Sequence, residues 1–285
     1  MKLFITNQND TKELFRKCET CSRTFACLLN REFEHPKENE ERALNPLAGG
    51  IMNRGHQCGM LWGTALAVGA ESFRKHKDLN KAITVTVKAT QDIIVSFLKT
   101  SGSTNCKDII GYDLTSILGM AKFMLKTTIR GMDNSLCFNL AEKWAPEAVQ
   151  TANKSLSVDI DMVEPPVCCA SEVLKQMDAR EEEIVMVSGF SGGLGLSGNA
   201  CGALSAAIWK RMLDWCRDNP TKSPPFFNNK TAKKILKTFN TATNKKMLCS
   251  DICGIKFKDL EDHTEYIKQG GCKKLISLLA NKDIV

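Results

Sequence analysis

The chain has 285 residues, with 39 lysines and arginines against 32 aspartates and glutamates, a formal net charge of +7. A length of this order holds one large domain or two small ones, each with a core of its own. With 43% hydrophobic and 25% charged residues the composition is that of an ordinary soluble globular protein, and the thirteen cysteines are its outlier.

In chain order, the N-terminus runs Met1-Lys2-Leu3-Phe4-Ile5 and turns polar at Thr6, so it lacks the apolar core of a secretory signal. The thiols are therefore read as cytoplasmic and reduced, available for metal ligation, thiol chemistry or plain burial. Cys18-Glu19-Thr20-Cys21 follows, in what reads as an N-terminal extension over residues 1–19. The longest apolar stretch, Gly59 to Ala70, is interrupted by glycines and Thr64 and is too short to span a bilayer. Ile83–Val87 alternates like a strand but lies within a longer helix-compatible segment, and Ile93, Ile94, Phe97 and Leu98 share one helical face. Ser103-Thr104-Asn105 supplies cap side chains before Cys106, Asn134 and Ser135 do so before Cys137, and Gly198-Asn199 precedes Cys201. Asn153, Ser155, Ser157 and Pro165-Pro166 mark residues 151–167 as a linker. Basic residues are dense in Phe227–Lys246, but that tract holds only Phe227 and Phe239 as aromatics and no nucleic-acid motif. It is read as a solvated lysine face or a docking site for an acidic redox partner, and nucleic acid is not expected. Leu275, Ile276, Leu278 and Leu279 close the chain with another helical face. The expected fold class is all-α.

The chain repeats itself. Gly49-Gly50, Gly55, Cys58 and Gly59 lie over Gly192-Gly193, Gly198, Cys201 and Gly202 at an offset of 143 (201 − 58). Cys106-Lys107-Asp108-Ile109-Ile110-Gly111 lies over Cys249-Ser250-Asp251-Ile252-Cys253-Gly254 at the same offset. Cys27 precedes Cys58 by 31 residues and Cys169 precedes Cys201 by 32, while Cys137 corresponds to Cys272 in a shorter second copy. Two four-cysteine sets result: Cys27, Cys58, Cys106 and Cys137 in residues 20–150, and Cys169, Cys201, Cys249 and Cys272 in residues 168–285. The expected architecture is two tandem helical-bundle repeats related by a pseudo-two-fold axis, a covalent pseudo-dimer that can also self-associate.

A thiol in the first turn of a helix meets unpaired backbone N–H groups and the positive end of the dipole, which favours the thiolate that binds metal or attacks as a nucleophile. Four thiolates are the usual ligand set of a [2Fe–2S] or [4Fe–4S] cluster, so one iron–sulfur cluster per repeat, with electron transfer as its role, is the leading reading; one cluster shared by both copies stays open. Thiol–disulfide or peroxide chemistry at Cys18/Cys21 or Cys168/Cys169 is the second reading, without the βαβ context that a redox C-x-x-C calls for. Structural zinc is the third, with Cys249 and Cys253 alone approximating a knuckle. Cys216 reads as core packing, and Cys253 as either filler or an alternative ligand. His35, His76 and His263 read as surface residues, and His56 as a hydrogen-bond donor to a cluster, a ligand of it, or neither. Gly192 to Gly198 looks like a nucleotide loop but lacks a preceding strand and a P-loop lysine.

Cys169-Ala170, Gly189-Phe190-Ser191-Gly192-Gly193, Gly198 and Cys201-Gly202-Ala203, with Cys249 and Cys272, resemble the C_GCAxxG_C_C family of putative redox-active proteins. The first copy is a looser match, with Leu28 after Cys27 and Met60 where Ala203 stands. The family is typical of anaerobic microbes and is similar to the cluster-bearing part of split-Soret cytochrome c, which implies an iron–sulfur site built from these cysteines. Haem is not implied, because Cys18-x-x-Cys21 is followed by Ser22 rather than histidine.

Overall fold

The computed structural model describes residues 8–160 and 164–284; the N-terminal stretch Met1–Ile5, read above as no secretory signal, lies outside them. Among the described residues there are fifteen α-helices, and the only β pairing is two isolated bridges, Gln57 with Asn105 and Ala200 with Leu248. No described helix is long and apolar enough to cross a membrane.

The 143-residue offset survives as geometry. Helix α4 (Gly59–Lys75) corresponds residue for residue to α11 (Gly202–Asp218), and the first bridge to the second. Before each of these helices lies a short helix and a 3-10 turn: α3 (Glu38–Arg42) with Asn45–Leu47, and α10 (Glu181–Met186) with Ser188–Phe190. These elements cross over. In the first copy α3 lies on α11, where the Trp209 indole donates to the Glu40 carbonyl at 3.1 Å and Asn45 donates to the Pro224 carbonyl at 3.0 Å. In the second copy α10 and its turn lie on α4, with Trp62 edge-on to Phe190 at 4.9 Å and Gly69 against the backbone of Met186. Such reciprocal contacts are those of an isologous dimer interface. One continuous apolar core therefore runs through both copies, from Phe25 and Trp144 to Trp209 and Phe239. Gln57 sits in it fully buried, its amide donating to the Gly193 carbonyl (2.8 Å) and accepting from the Ala200 N–H (3.2 Å).

The stretch read as alternating is part of the long helix α5 (Leu79–Ser101), and the lysine tract forms α12 (Lys230–Ala242), which buries Ile235, Leu236 and Phe239 and turns its lysines outward. Helix α1 (Gln8–Cys18) packs on the first copy through Phe15 stacked on Phe138, and α8 (Leu136–Ser155) continues into the expected linker, Ser155 donating to Asp92. The copies differ most at one pair of helices. Helix α14 (Leu260–Lys268) packs inward through His263 and Thr264, whereas its counterpart α7 (Ile117–Arg130) buries no residue and holds Ile117, Leu118, Leu125 and Ile129 in solvent.

Candidate redox site

Each copy gathers its cysteines around one unusual backbone turn. Gly49, Gly50, Ile51, Met52 and Asn53 all have φ between +54° and +73°, and Gly192 through Leu196 have φ between +55° and +82°. A left-handed turn costs an L-residue about 1–2 kcal/mol, so Ile51, Met52, Asn53, Leu194 and Leu196 are held there against local preference. Matching hydrogen bonds hold both turns, Gly55 N–H to the Gly49 carbonyl and Gly198 N–H to the Gly192 carbonyl. Glycine is required at Gly50 and Gly193, where a Cβ would come within 2.3 Å of the His56 oxygen and 2.5 Å of the Asn199 oxygen. From these turns the chain runs into Cys58 and Cys201, the N-caps of α4 and α11, and each bridge brings up a second short helix, α6 (Cys106–Ile110) or α13 (Cys249–Cys253), that starts at a cysteine. Cys58 N–H bonds the Thr104 carbonyl at 2.8 Å and Cys201 N–H the Met247 carbonyl at 2.9 Å; Cys106 and Cys249 return bonds to His56 and Asn199. His56 serves here through its backbone carbonyl.

In the second copy, Cys169 opens α9 (Cys169–Lys175) and Cys272 caps α15 (Lys273–Ala280). These two, with Cys201, Cys249 and Cys253, line one cavity, closed on the α14 side by His263 and Tyr266. Cys253 sulfur lies 3.8 Å from that of Cys249 and 3.7 Å from that of Cys272. The three thiols share protons through these contacts: Cys253 is pulled down to about 3, while Cys249 and Cys272 are driven far up. Burial pushes Cys201 up to about 12. His263, read from the sequence as a surface residue, is buried: burial takes it down to about 4, its ring bonds the Val167 backbone, and Nδ1 has no partner. Its neighbours in α14 are polar, which disguised the inward face.

In the first copy the structure brings together Cys58, Cys106 and Cys137 with Cys21. Cys21 begins α2 (Cys21–Glu32), capped by Thr20, as Cys169 begins α9. The neighbouring Cys58 thiol, joined by the N–H groups of Gly49, Ser22 and Gly59, brings Cys21 down to about 7. Cys58 is raised by Cys21, while Cys106 is raised by burial and then by Cys137 and Cys21, and Cys137 by burial and then by Cys21. The Gly49 N–H aimed at Cys21 has its counterpart in the Gly192 N–H aimed at Cys169. Cys27 is not brought to this group. It lies a turn and a half along α2, where its thiol donates to Glu41 at 3.0 Å beside Cys18. The reason is helix length. Helix α2 has 12 residues against 7 in α9, and Cys21 precedes Cys58 by five residues more than Cys169 precedes Cys201 (37 against 32). The near-equal spacing of Cys27 is a coincidence of that insertion.

The remaining cysteines stand apart. Cys168 caps α9 inside a small apolar cluster with Ile83 and Val87, pushed up to about 12 by burial; Cys216 is buried in α11 and pushed up to about 11 for the same reason. His35 is exposed, and His76 is partly buried. Among the described residues no three Cys, His, Asp or Glu side chains clasp a single point closely enough to hold one metal ion.

A comparison with known families returns the same duplication twice over. The profile of C_GCAxxG_C_C, described as a putative redox-active protein, matches residues 19–150 and 167–282. The chain belongs to this family. Both matches open two residues before the cysteine that starts the first helix of the copy, Cys21 and Cys169, in agreement with the pairing the structure gives. No curated protein and no solved structure matches the chain. A redox role for this C_GCAxxG_C_C protein is what the family description supports.

Proposed function

We propose that each copy holds an iron–sulfur cluster and that the protein transfers electrons, with Cys21, Cys58, Cys106 and Cys137 as ligands in the first copy and Cys169, Cys201, Cys249 and Cys272 in the second. Cys253 is a fifth thiol in the second group, available to replace one of these. The observation that carries the reading is the convergence of thiols in both copies, five of them lining one cavity in the second and four perturbing one another's protonation in the first. Four thiolates gathered in a low-dielectric site repel strongly, and a cationic iron core offsets that repulsion. The donor set fits, since all-thiolate ligation is the usual environment of such clusters. The His263 Nδ1 left unpaired beside the second group fits as well, as a polar atom awaiting a partner. When bound, a cluster supplies one-electron chemistry at low polarity; the chain's own part is to fix the sulfurs, exclude water and aim the N–H groups of Gly49 and Gly192 at Cys21 and Cys169.

An acidic electron-transfer protein is the partner this reading favours. A groove of about 730 Å³ beside the second site is lined by Lys246, Lys273 and Lys274 together with Tyr266 and Cys272. Cations at the rim of a redox site steer acidic partners and bring them close enough for transfer. The reading also places the protein in a reducing compartment such as the cytoplasm, where these thiols stay available.

The test is purification without oxygen. The protein is expected to be brown, with acid-labile sulfide equal to iron, and Cys201→Ser is expected to lose about half of both. Colourless protein without sulfide, from a host competent in cluster assembly, overturns the proposal.

A further inference from the structure

Cys18, Cys27 and Glu41 form a group that the two cysteine sites leave unused and that has no counterpart in the second copy. Cys18 ends α1, Cys27 lies within α2, and the two buried thiols are near enough in the core to perturb each other's protonation. Glu41 is buried beside them. One of its oxygens is held by the Asn30 side-chain amide at 2.7 Å and the Lys37 N–H at 3.0 Å, which leaves the other to accept the Cys27 thiol proton at 3.0 Å. A carboxylate is costly to bury, and here it is satisfied on one side by fixed donors and aimed on the other at a thiol. Inert filler needs none of this: Cys216, equally buried, has no such partner for its thiol.

The two thiols are not equivalent. The neighbouring Cys27 thiol, together with Arg23 and Arg31, lowers the proton affinity of Cys18, against the opposing charge of Glu41. Cys18, burial and Glu41 keep Cys27 protonated. A nucleophile is thus paired with a protonated resolving thiol, and a base stands behind the latter. A cleft of about 400 Å³ between α1 and α2 is lined by Lys17 and Leu28, the chain neighbours of Cys18 and Cys27; the two buried thiols are not in its lining.

We propose that Cys18 and Cys27 are a second, metal-independent redox centre, a dithiol that reduces a small peroxide and closes to a disulfide, with Glu41 as the proton acceptor for Cys27. In the first step Cys18 gives its proton to solvent and the thiolate attacks one peroxide oxygen; the O–O bond breaks, and the leaving oxygen takes that proton back from solvent to depart as water (as an alcohol from an alkyl hydroperoxide), leaving Cys18 as the sulfenic acid. In the second step Cys27 gives its proton to Glu41 and attacks the Cys18 sulfur, and the S–O bond breaks. The departing hydroxide takes that proton from Glu41 and leaves as water. In sum two thiols and one hydrogen peroxide give one disulfide and two waters, a two-electron oxidation of the protein.

The experiment uses the full chain, reduced and without oxygen, mixed with one equivalent of hydrogen peroxide, quenched with N-ethylmaleimide at intervals and read by tandem mass spectrometry. A Cys18–Cys27 bond formed at the rate of peroxide loss is expected. Fragmentation must separate Cys18 from Cys21, because both lie between Lys17 and Arg23. Glu41→Gln, which keeps an oxygen for Asn30 and Lys37, is expected to slow disulfide closure by about 100-fold, the lower range for loss of a general base. Cys18→Ser is expected to abolish the bond and to leave iron and sulfide content unchanged, which separates this centre from the cluster reading. A bond to Cys21, sulfinic acid at Cys18 without a disulfide, or closure at the parent rate in Glu41→Gln overturns the proposal.

Discussion

Replacing Gln57 with alanine tests whether the two copies are fastened at the point the structure indicates. The side chain makes two buried hydrogen bonds to the second copy, to the Gly193 carbonyl and from the Ala200 N–H. The losses differ in kind. Gly193 oxygen keeps a partner, since Ser197 also donates to it at 2.6 Å, so that bond costs about 1 kcal/mol. The Ala200 N–H is wholly buried and is left without a partner, which costs about 1–3 kcal/mol. The emptied methylene volume adds about 1 kcal/mol. A total of about 3–5 kcal/mol corresponds to a drop in Tm of about 6–20 °C at about 2–4 °C per kcal/mol. Thermal unfolding followed by far-ultraviolet circular dichroism measures it. A drop under about 2 °C would refute the claim that this residue clamps the copies. The counterpart position offers an internal control, because Ala200→Gly removes no such bond.

Other predictions bear on the sites and the surface. Cys21→Ser should remove the first copy's iron and sulfide, about half the total, while Cys27→Ser should leave both intact; elemental and sulfide analysis decides between them. Gly59→Ala would place a Cβ 2.5 Å from the Cys21 sulfur and should lower metal content in the first copy alone, at a stability cost of about 1–3 kcal/mol. Gly202→Ala would set a Cβ 1.7 Å from the Phe190 oxygen, backbone that cannot step aside, so a loss of at least that size is expected in denaturant midpoints. On α7, Leu125→Glu should change stability by no more than about 0.5 kcal/mol, whereas Leu44→Ala in the core should cost about 2–5 kcal/mol.

What the sequence made legible was whatever the fold repeats at constant spacing. Cys58 and Cys106, with Cys201 and Cys249, share one offset and are joined by the same bridge in each copy, and the glycines before them are fixed by the left-handed turn. The helical class followed from the apolar periodicity of α5 and α15. Cys21 was hidden because helices lengthen without disturbing their ends, so equal spacing pointed to Cys27; its signal was the Thr20 cap just before it. Cys253 is one helical turn from Cys249, a relation that periodicity shows but cannot distinguish from filler. His263 was concealed by Glu261, Asp262 and Glu265, which face water while it faces in. The crossing of α3 and α10 between copies had no local signature, since each is an ordinary amphipathic segment until its partner surface is known.

That crossing has a consequence for how the molecule behaves on dilution. Two separate chains clasped through α3 and α10 would come apart as their concentration fell, and each half would be left with its share of the core in water. The covalent connection between the copies turns the same clasp into a unimolecular event, with the mating surfaces held at a local concentration set by the chain rather than by the cell. A rare protein can then keep both halves folded at any copy number. Tethering also frees the halves from identity, since a change in one is no longer imposed on the other. The lone glutamine on one side, and the extra cysteine, histidine and tyrosine on the other, are differences that a symmetric pair could not have accumulated.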